Sequence, residues 1–241
     1  MPGVLSADRL TDPAPIAVAL DAPDLATLRT WAAAAGPHVS TMKVGLEAFL
    51  RDGATAVEAA RDASGDCAIF LDLKLHDIPA TVAGAARSVA PLRPTLLTVH
   101  ASGGRDMIRA AADALPDTLI TAVTVLTSLT PNDLADIGLS GPALDAARRL
   151  AVLAVDAGAR ALVCSAHEVA AIRAEVGPDV VLVTPGIRPA GAASNDQARV
   201  ATPEQALADG ATLLVIGRPI TGAIDVAVAA AEIARGVRDS G

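Results

Sequence analysis

Aromatic residues are nearly missing from this sequence of 241 residues, which has one Trp, two Phe and no Tyr. Hydrophobic residues still make up 52% of the chain, so its core has to be built from Ala, Val, Leu and Ile. Small and β-branched side chains suit helices packed closely on a parallel sheet better than an aromatic-rich sandwich. The chain is long enough to bury a sizeable core in one domain.

The chain also lacks a cluster of basic residues. Its formal net charge is −8, and Lys and Arg form no continuous stripe. Without such a stripe, and with few rings on which bases could stack, we expect no nucleic acid as a partner. A small anionic substrate is compatible with this composition, because a few local cations suffice to bind it.

Cysteines and long apolar runs are scarce as well. Cys67 and Cys164 are the only cysteines and lie outside any Cys-x-x-Cys spacing, which favours a reducing, cytoplasmic setting. No uncharged run of about 18 apolar residues occurs, so we expect no membrane span. The start, MPGVLSADRLTDPAP, does not have the pattern of a signal peptide. We predict a flexible N-terminal tail over residues 1–14 and one catalytic domain over residues 15–241.

Beyond that tail, strand-like runs alternate with Ala-rich amphipathic stretches such as LEAFLRDGATAVEAARD. Eight strands, each followed by a helix, in about 225 residues predict an α/β fold of the closed (β/α)8 TIM-barrel type. An open doubly wound sheet is the alternative, but it favours a GxGxxG turn where this chain has DAPD. The strand-like runs are IAVAL (16–20), STMKV (40–44), AIFLDLKL (68–75), TLLTVH (95–100), LITAVTVL (119–126), ALVCS (161–165), VVLVTPG (180–186) and TLLVIG (212–217).

Polar residues gather at the ends of these runs. In a (β/α)8 barrel, the C-terminal ends of the strands carry the catalytic groups, while the strand bodies fill the core. We therefore expect these polar residues to share one rim and to form a site. They are Asp21, Lys43, Asp72, Lys74, His100, Thr127 and Ser128, followed by the segments TPGIRP and IGRPIT.

The third run continues as FLDLKLHD over residues 70–77 and places charge on a buried-looking strand. Asp72 and Lys74 are two residues apart and therefore share a face. Either could belong to a structural ion pair, but with Lys43 and Asp77 they can form an alternating array of ammonium and carboxylate groups. Such an array suits decarboxylation. A carboxylate repels the substrate carboxylate until CO₂ leaves, and an ammonium stabilises and then protonates the carbanion.

Two Gly–Arg pairs lie past the last two strands. TPGIRP contains Gly186 and Arg188, and IGRPIT contains Gly217 and Arg218. Barrels commonly bind phosphate at these loops through backbone N–H groups, and Arg adds paired donors for phosphate oxygens. The two segments together predict a phosphate site.

Taken together, these motifs resemble the orotidine 5′-phosphate decarboxylases of the bacterial type. The resemblance implies decarboxylation of orotidine 5′-phosphate to uridine 5′-phosphate, the last step of UMP biosynthesis, without metal or cofactor. It also implies a homodimer with shared active sites. The likeness runs in order from about residue 15 to the end and comprises Asp21, Lys43, DLKLHDIPATV, TVHASGG, VTVLTS, TPGIRP, the DQ before ARVATP, and VIGRPIT.

The resemblance implies a role for each matched residue. Lys74 would protonate C6 of the pyrimidine, Asp72 would lie against the substrate carboxylate, and Asp77 would come from the other subunit. Lys43 and Asp21 would hold ribose hydroxyls and orient the lysines. The further substrate-binding residues would be Ile78, Thr81 (from the other subunit), Thr127 or the adjacent Ser128 at the base, and Arg188, Gln197, Gly217 and Arg218 at the phosphate, with the 186–197 segment as a flexible lid.

Two other functions remain compatible with parts of this pattern. A Mg²⁺-dependent decarboxylase or aldolase for a keto-sugar phosphate shares DxKxxD, but would need a carboxylate where this chain has Lys43. A catalytically inactive nucleotide-binding or scaffolding protein would not need Lys74. The histidines give no HxxxH spacing for a metal. We expect His76 to support the site indirectly or to cap a helix, and His100 to support the rim.

Overall fold

The computed structural model describes residues 10–139, 141–188 and 201–239. Its eight parallel strands form a closed barrel, in which each strand pairs with the next along the chain and the eighth pairs with the first. The predicted (β/α)8 barrel is confirmed, and all eight strand-like runs contain a strand. The strands are β1 (Ile16–Ala19), β2 (Thr41–Gly45), β3 (Ala68–Leu75), β4 (Leu96–His100), β5 (Leu119–Val123), β6 (Ala161–Val163), β7 (Val181–Thr184) and β8 (Leu213–Ile216).

Helices surround the barrel. The amphipathic stretch after β2 forms two helices rather than one, because Gly53 between them adopts a φ of +59°, a conformation that glycine tolerates. Over the described residues, none of the helices has both the length and the apolar character needed to cross a bilayer. The α-helices are α1 (Leu25–Ala35), α2 (Leu46–Asp52), α3 (Ala54–Ser64), α4 (Pro79–Val89), α5 (Arg105–Ala114), α6 (Pro131–Asp136), α7 (Ala143–Asp156), α8 (Val169–Val176), α9 (Pro203–Ala208), α10 (Arg218–Thr221) and α11 (Val226–Asp239).

Alternate residues of the strands face two separate cores. The outer faces pack against buried alanines of the helices, which lets the helices approach the sheet closely. The barrel interior is filled by a second cluster in which large and small side chains alternate, with Phe70 as its aromatic member. The composition therefore suffices for both cores without further aromatic rings. The inner cluster is Leu10, Ala17, Ala68, Phe70, Leu96, Leu119, Ala161, Val181, Val183 and Leu213.

Residues 10–14 of the predicted tail pack on the barrel. Leu10 is buried in the inner cluster, and Ser40 Oγ donates a hydrogen bond of 2.7 Å to its carbonyl oxygen. The carbonyl oxygen of Ala14 accepts hydrogen bonds from the backbone N–H groups of Ile16 and Ser40. A single leucine in a polar stretch has no periodic pattern, so the sequence alone does not predict this contact. Residues 1–9 lie outside the described residues.

Arginines bind backbone carbonyl groups at the N-terminal end of the barrel. Arg160 donates hydrogen bonds to the carbonyl oxygens of Pro116 and Thr118, just before β5. Arg173 reaches the carbonyl oxygens of Gly177, Pro178, Val180 and Gly210, before β7 and β8. These bonds satisfy carbonyl groups of the loops that lead into the strands.

Candidate active site

A cavity of about 700 Å³ opens at the C-terminal end of the barrel. Parallel strands and their following loops meet at this rim, so residues that are far apart in sequence line one space. Its apolar wall includes Phe70, Val123 and Val183, and Trp31, the only tryptophan of the chain, lies at its edge. The predicted site residues that line it are Asp21, Lys43, Asp72, Lys74, Thr127, Arg188, Gly217 and Arg218.

The carboxylate of Asp72 lies between two ammonium groups. Lys74 Nζ is 2.7 Å from Asp72 Oδ1, and Lys43 Nζ is 3.3 Å from Asp72 Oδ2. Lys43 Nζ is also 3.6 Å from Asp21 Oδ1. Asp72 and Lys43 are each only 8% exposed, so these two charges depend on their ionic neighbours for stabilisation.

The pKa of Asp72 lies below its ordinary value. Burial by itself would raise it, but the charges of Lys43 and Lys74 and the hydrogen bonds from Lys74 and Thr98 together outweigh burial. Asp72 is therefore a carboxylate at neutral pH, facing a cavity in which a substrate anion would meet it.

The backbone of Lys74 adopts an unusual conformation. Its φ is +49°, and the pairing of β3 with β4 shifts register between Leu71, which pairs with Leu97, and Leu75, which pairs with Val99. The left-handed φ of Lys74 costs about 1–2 kcal/mol for a residue with a side chain, and the register shift marks a β-bulge. Strict alternation along β3 correctly predicts that Asp72 and Lys74 share a face, but it contains no sign of the bulge.

Thr98 of β4 holds this bulge, and the sequence analysis did not single it out. Its hydroxyl group donates a hydrogen bond of 3.0 Å to Asp72 Oδ1 and accepts one of 2.8 Å from the backbone N–H of Lys74. Thr98 is fully buried and lies within the run TLLTVH, where a threonine is an ordinary strand residue. Only its contacts across the strands distinguish it.

The sequence pattern does not predict a role for Gly45 either. A Cβ atom at this position would lie 2.8 Å from Asp21 Oδ1 and 2.9 Å from Lys43 Nζ, closer than such atoms pack. Gly45 ends β2 two residues after Lys43, and this spacing is the only sequence signal for its role. A side chain at this position would therefore displace the Asp21 carboxylate, the Lys43 ammonium group or both.

Asp77, Ile78 and Thr81 do not line the cavity of this chain. All three are exposed, and Ile78 is 66% exposed although it is apolar. Asp77 Oδ1 accepts a hydrogen bond of 2.6 Å from the backbone N–H of Ile78 and forms no ion pair with a described residue. Within one chain, the charged array therefore consists of Asp21, Lys43, Asp72 and Lys74.

The remaining expected residues lie around the rim. Of the adjacent pair left open at the base position, Thr127 lines the cavity, while Ser128 is more exposed. The backbone N–H of Arg188 donates to the carbonyl oxygen of Ala201 at 3.0 Å, which joins the two described sides of this loop. Gln197 lies outside the described residues, together with most of the 186–197 segment.

Two histidines, His76 and His100, lie close to each other near the charged array. The rings of His76 and His100 have centroids 5.3 Å apart. Burial lowers the pKa of His100, and the neighbouring His76 and Lys74 lower it further. Neither ring lines the cavity, and their supporting roles stay predictions. Over the described ranges, no group of three or more His, Cys, Asp or Glu side chains could hold a metal ion.

Comparison with known proteins agrees with this geometry. The family model described as "Orotidine 5'-phosphate decarboxylase / HUMPS family" matches residues 14–233. The chain is 68% identical to an orotidine 5′-phosphate decarboxylase of Thermobifida fusca, over 95% of this chain and 97% of the relative. It is 56% identical to one of Frankia casuarinae, over 98% and 93%.

A solved structure adds a comparison of the fold. The crystal structure of orotidine 5′-phosphate decarboxylase from Lactobacillus acidophilus is similar with a TM-score of 0.80 at 35% identity, covering 91% of this chain and 97% of that chain. The family model spans most of the chain, and the relatives are matched over nearly their full length. The chain therefore belongs to the orotidine 5′-phosphate decarboxylase / HUMPS family.

Proposed function

We propose that this cavity decarboxylates orotidine 5′-phosphate to uridine 5′-phosphate and CO₂, the last step of UMP biosynthesis. One observation carries the proposal: the Asp72 carboxylate is held between the ammonium groups of Lys43 and Lys74 inside a largely apolar cavity. The decarboxylases named above support it through their high identity with this chain. A reducing, cytoplasmic setting is part of the same proposal.

Asp72 and Lys74 act on the reacting bond. Asp72 lies against the substrate carboxylate, and two carboxylates about 4 Å apart repel by about 4 kcal/mol at an effective dielectric constant of 20. The bond between C6 and the carboxylate breaks, CO₂ leaves and the electron pair stays on C6. The ammonium group of Lys74 stabilises this charge and transfers a proton to C6, which leaves Lys74 as a neutral amine. Because repulsion disappears as CO₂ departs, it lowers the barrier.

The rest of the rim binds the ribose and phosphate. Asp21 and Lys43 hold ribose hydroxyl groups while Lys43 also faces Asp72. Thr127 contacts the base. Arg188, Gly217 and Arg218 bind the phosphate from the loops after β7 and β8, where backbone N–H groups and guanidinium donors converge. Gln197 is a further phosphate ligand in the proposal.

A homodimer completes the site in this proposal. Asp77, Ile78 and Thr81 are exposed on one chain. A groove lined by the exposed apolar residues Leu46 and Leu50 also includes residues of β3 and α4, the two elements that flank this segment. An exposed apolar surface of this kind is typical of a subunit interface. Asp77 of the partner subunit then joins the charged array and Thr81 of the partner subunit contacts the ribose.

The second candidate function is a Mg²⁺-dependent reaction of a keto-sugar phosphate on the same barrel. The description of the matching family names HUMPS beside orotidine 5′-phosphate decarboxylase, so the family is not limited to that one enzyme. It requires a carboxylate ligand where Lys43 lies, and an ammonium group repels a divalent cation. The position of Lys43 against Asp72 therefore favours the metal-free decarboxylation.

Activity in the presence of a chelator separates the two candidates. We expect the purified protein to consume orotidine 5′-phosphate in excess EDTA, followed as loss of the orotate absorbance. No loss, together with Mg²⁺-dependent turnover of a keto-sugar phosphate, would overturn the proposal while leaving the barrel intact.

Mixing two inactive variants tests the shared site. Lys74→Ala and Asp77→Ala are each expected to be inactive alone, since each lacks one member of the array. After mixing and exchange of subunits, a heterodimer has one site with both residues, so about one quarter of wild-type activity should return. No recovery despite demonstrated subunit exchange would show that Asp77 does not act across an interface.

A further inference from the structure

Thr98 contacts both reacting residues without reaching the cavity. Its hydroxyl donor is used by Asp72 Oδ1 and its acceptor by the backbone N–H of Lys74. Thr98 is fully buried and does not line the cavity, so a bound substrate would not touch it. Any effect of Thr98 on the reaction therefore passes through Asp72 and Lys74.

The first contact fixes the orientation of the carboxylate. Asp72 Oδ1 receives hydrogen bonds from Thr98 and from Lys74 Nζ, while Oδ2 faces Lys43. With three donors on two oxygens, rotation of the carboxylate would break at least one contact. Thr98 is the member of this set that carries no charge and has a short, fully buried side chain on β4, whereas the two lysines reach Asp72 through long side chains. Thr98 therefore defines where Oδ1 lies.

The second contact fixes the bulge. A β-bulge removes the regular ladder partner of a backbone N–H, and a buried N–H without a partner is costly. At Lys74 the Thr98 hydroxyl takes the place of that partner, and φ at Lys74 is +49°. The strained backbone that directs the Lys74 side chain toward Asp72 is thus stabilised by the same hydroxyl that holds Asp72.

We propose that Thr98 is a positioning residue that fixes the Asp72 carboxylate and the Lys74 ammonium relative to each other. This role rests on the proposed decarboxylation. It predicts that the hydroxyl group of Thr98, rather than its volume, governs turnover while substrate affinity depends on the rest of the rim.

Three variants separate the hydroxyl from the packing. Thr98→Val removes the hydroxyl at nearly constant volume, and Thr98→Ser keeps it. Thr121→Val is the matched control, because Thr121 pairs with Thr98 on the neighbouring strand and its buried hydroxyl donates to the carbonyl oxygen of Leu119, away from the charged array. Each variant is measured for kcat and KM with orotidine 5′-phosphate. Affinity for uridine 5′-phosphate is followed by the fluorescence of Trp31 at the cavity.

For Thr98→Val we expect kcat to fall on the order of 10- to 100-fold, the effect of a small misplacement of reacting groups. Affinity for uridine 5′-phosphate should change by less than about threefold, since the phosphate and ribose contacts remain. Thr98→Ser and Thr121→Val should both stay within about threefold of wild-type kcat.

The pH profile provides a readout that a purely structural role would not move. The hydrogen bond from Thr98 lowers the pKa of Asp72, so its removal should shift the acid limb of kcat to higher pH. The other charged and titratable groups around Asp72 are Lys43, Lys74, the more distant Asp21 and His100. All of these groups are still present in Thr98→Val, so a shift of the acid limb reports the loss of the hydroxyl group and of the geometry that it holds.

Several outcomes would overturn the proposal. Wild-type kcat in Thr98→Val would do so, as would a loss in Thr98→Ser equal to that in Thr98→Val. If Thr98→Val does not fold, Thr98→Ala removes the same hydroxyl, and failure of both to fold would make Thr98 a structural residue only. An inactive wild-type protein would overturn the proposed decarboxylation and this role with it. An active wild-type protein whose kcat is unchanged by Thr98→Val would overturn the role of Thr98 alone.

Discussion

The two ends of the barrel use charged side chains in opposite ways. At the C-terminal end, Lys43 and Lys74 pair with carboxylates around an open cavity. At the N-terminal end, Arg160 and Arg173 donate to backbone carbonyl groups of loops that enter the strands. The C-terminal end has an ionic network that can contact a substrate. At the N-terminal end, the guanidinium groups donate their hydrogen bonds to carbonyl groups of the protein.

The difference concerns what each charge stabilises. A guanidinium group bound to several carbonyl oxygens links neighbouring loops and so supports folding. An ammonium group held in place beside a carboxylate can stabilise negative charge that develops on a substrate in the cavity. Substitutions at the C-terminal end should therefore affect turnover first, and substitutions at the N-terminal end should affect the free energy of unfolding.

Lys74→Ala should have the largest effect on activity. Loss of the proton donor and of the charge that stabilises the carbanion is expected to lower kcat by about 10³-fold or more. Asp72 still pairs with Lys43, so the melting temperature should change little. Steady-state kinetics and thermal unfolding of the same preparation check both statements, and substantial turnover by a well-folded variant would contradict them.

Arg173→Met should show the reverse pattern. It leaves several carbonyl groups before β7 and β8 without their donor, and we expect a loss of about 2–4 kcal/mol in the free energy of unfolding. Urea unfolding measures this loss, and kcat per folded molecule should stay unchanged. Arg29→Met is the control, because Arg29 is exposed on α1 and its replacement should cost less than about 0.5 kcal/mol. Equal losses in both variants would remove the contrast between the two ends.

Gly45→Ala should weaken binding at the C-terminal end. The added Cβ atom would crowd Asp21 and Lys43, which the proposal assigns to the ribose. We expect about tenfold weaker affinity for uridine 5′-phosphate, equivalent to about 1.4 kcal/mol, in a fluorescence titration. Gly236→Ala in α11 is the control, since its Cβ atom would meet Glu204 Oε1 at an ordinary 3.7 Å. Unchanged affinity in Gly45→Ala would indicate that the ion pair can move without loss.

The smallest effect concerns pH. Folding lowers the pKa of His100 from its ordinary value of 6.5, so the unfolded chain binds this proton more readily. Its contribution to stability is complete above that ordinary value and is lost as the pH falls below it and through the lowered pKa of the folded state. Urea unfolding at several pH values between neutral and mildly acidic should show this loss. His100→Asn should flatten the dependence, whereas His167→Asn at an exposed position should leave it unchanged.

Much of the fold and the site follows from local patterns. Runs such as AIFLDLKL and TLLTVH predict strands because side chains alternate at every residue, and the eight-fold repetition of strand and helix predicts the barrel. Polar residues at strand ends must then meet on one rim. For this reason Asp21, Lys43, Asp72 and Lys74 could be assigned to one site before any distance was known.

The tertiary structure alone decided the features that depend on contacts between distant residues. Thr98 and Lys74 are 24 positions apart, and only the pairing of β4 with a bulged β3 brings the hydroxyl to the Lys74 amide. A side chain at Gly45 would clash because Asp21, from the loop after β1, lies against it. Leu10 is buried because it packs into the inner cluster of the barrel. Alternation is a property of one strand and can be read along the chain. Register, close approach and the filling of space are properties of several segments at once, and they exist only after those segments have packed together.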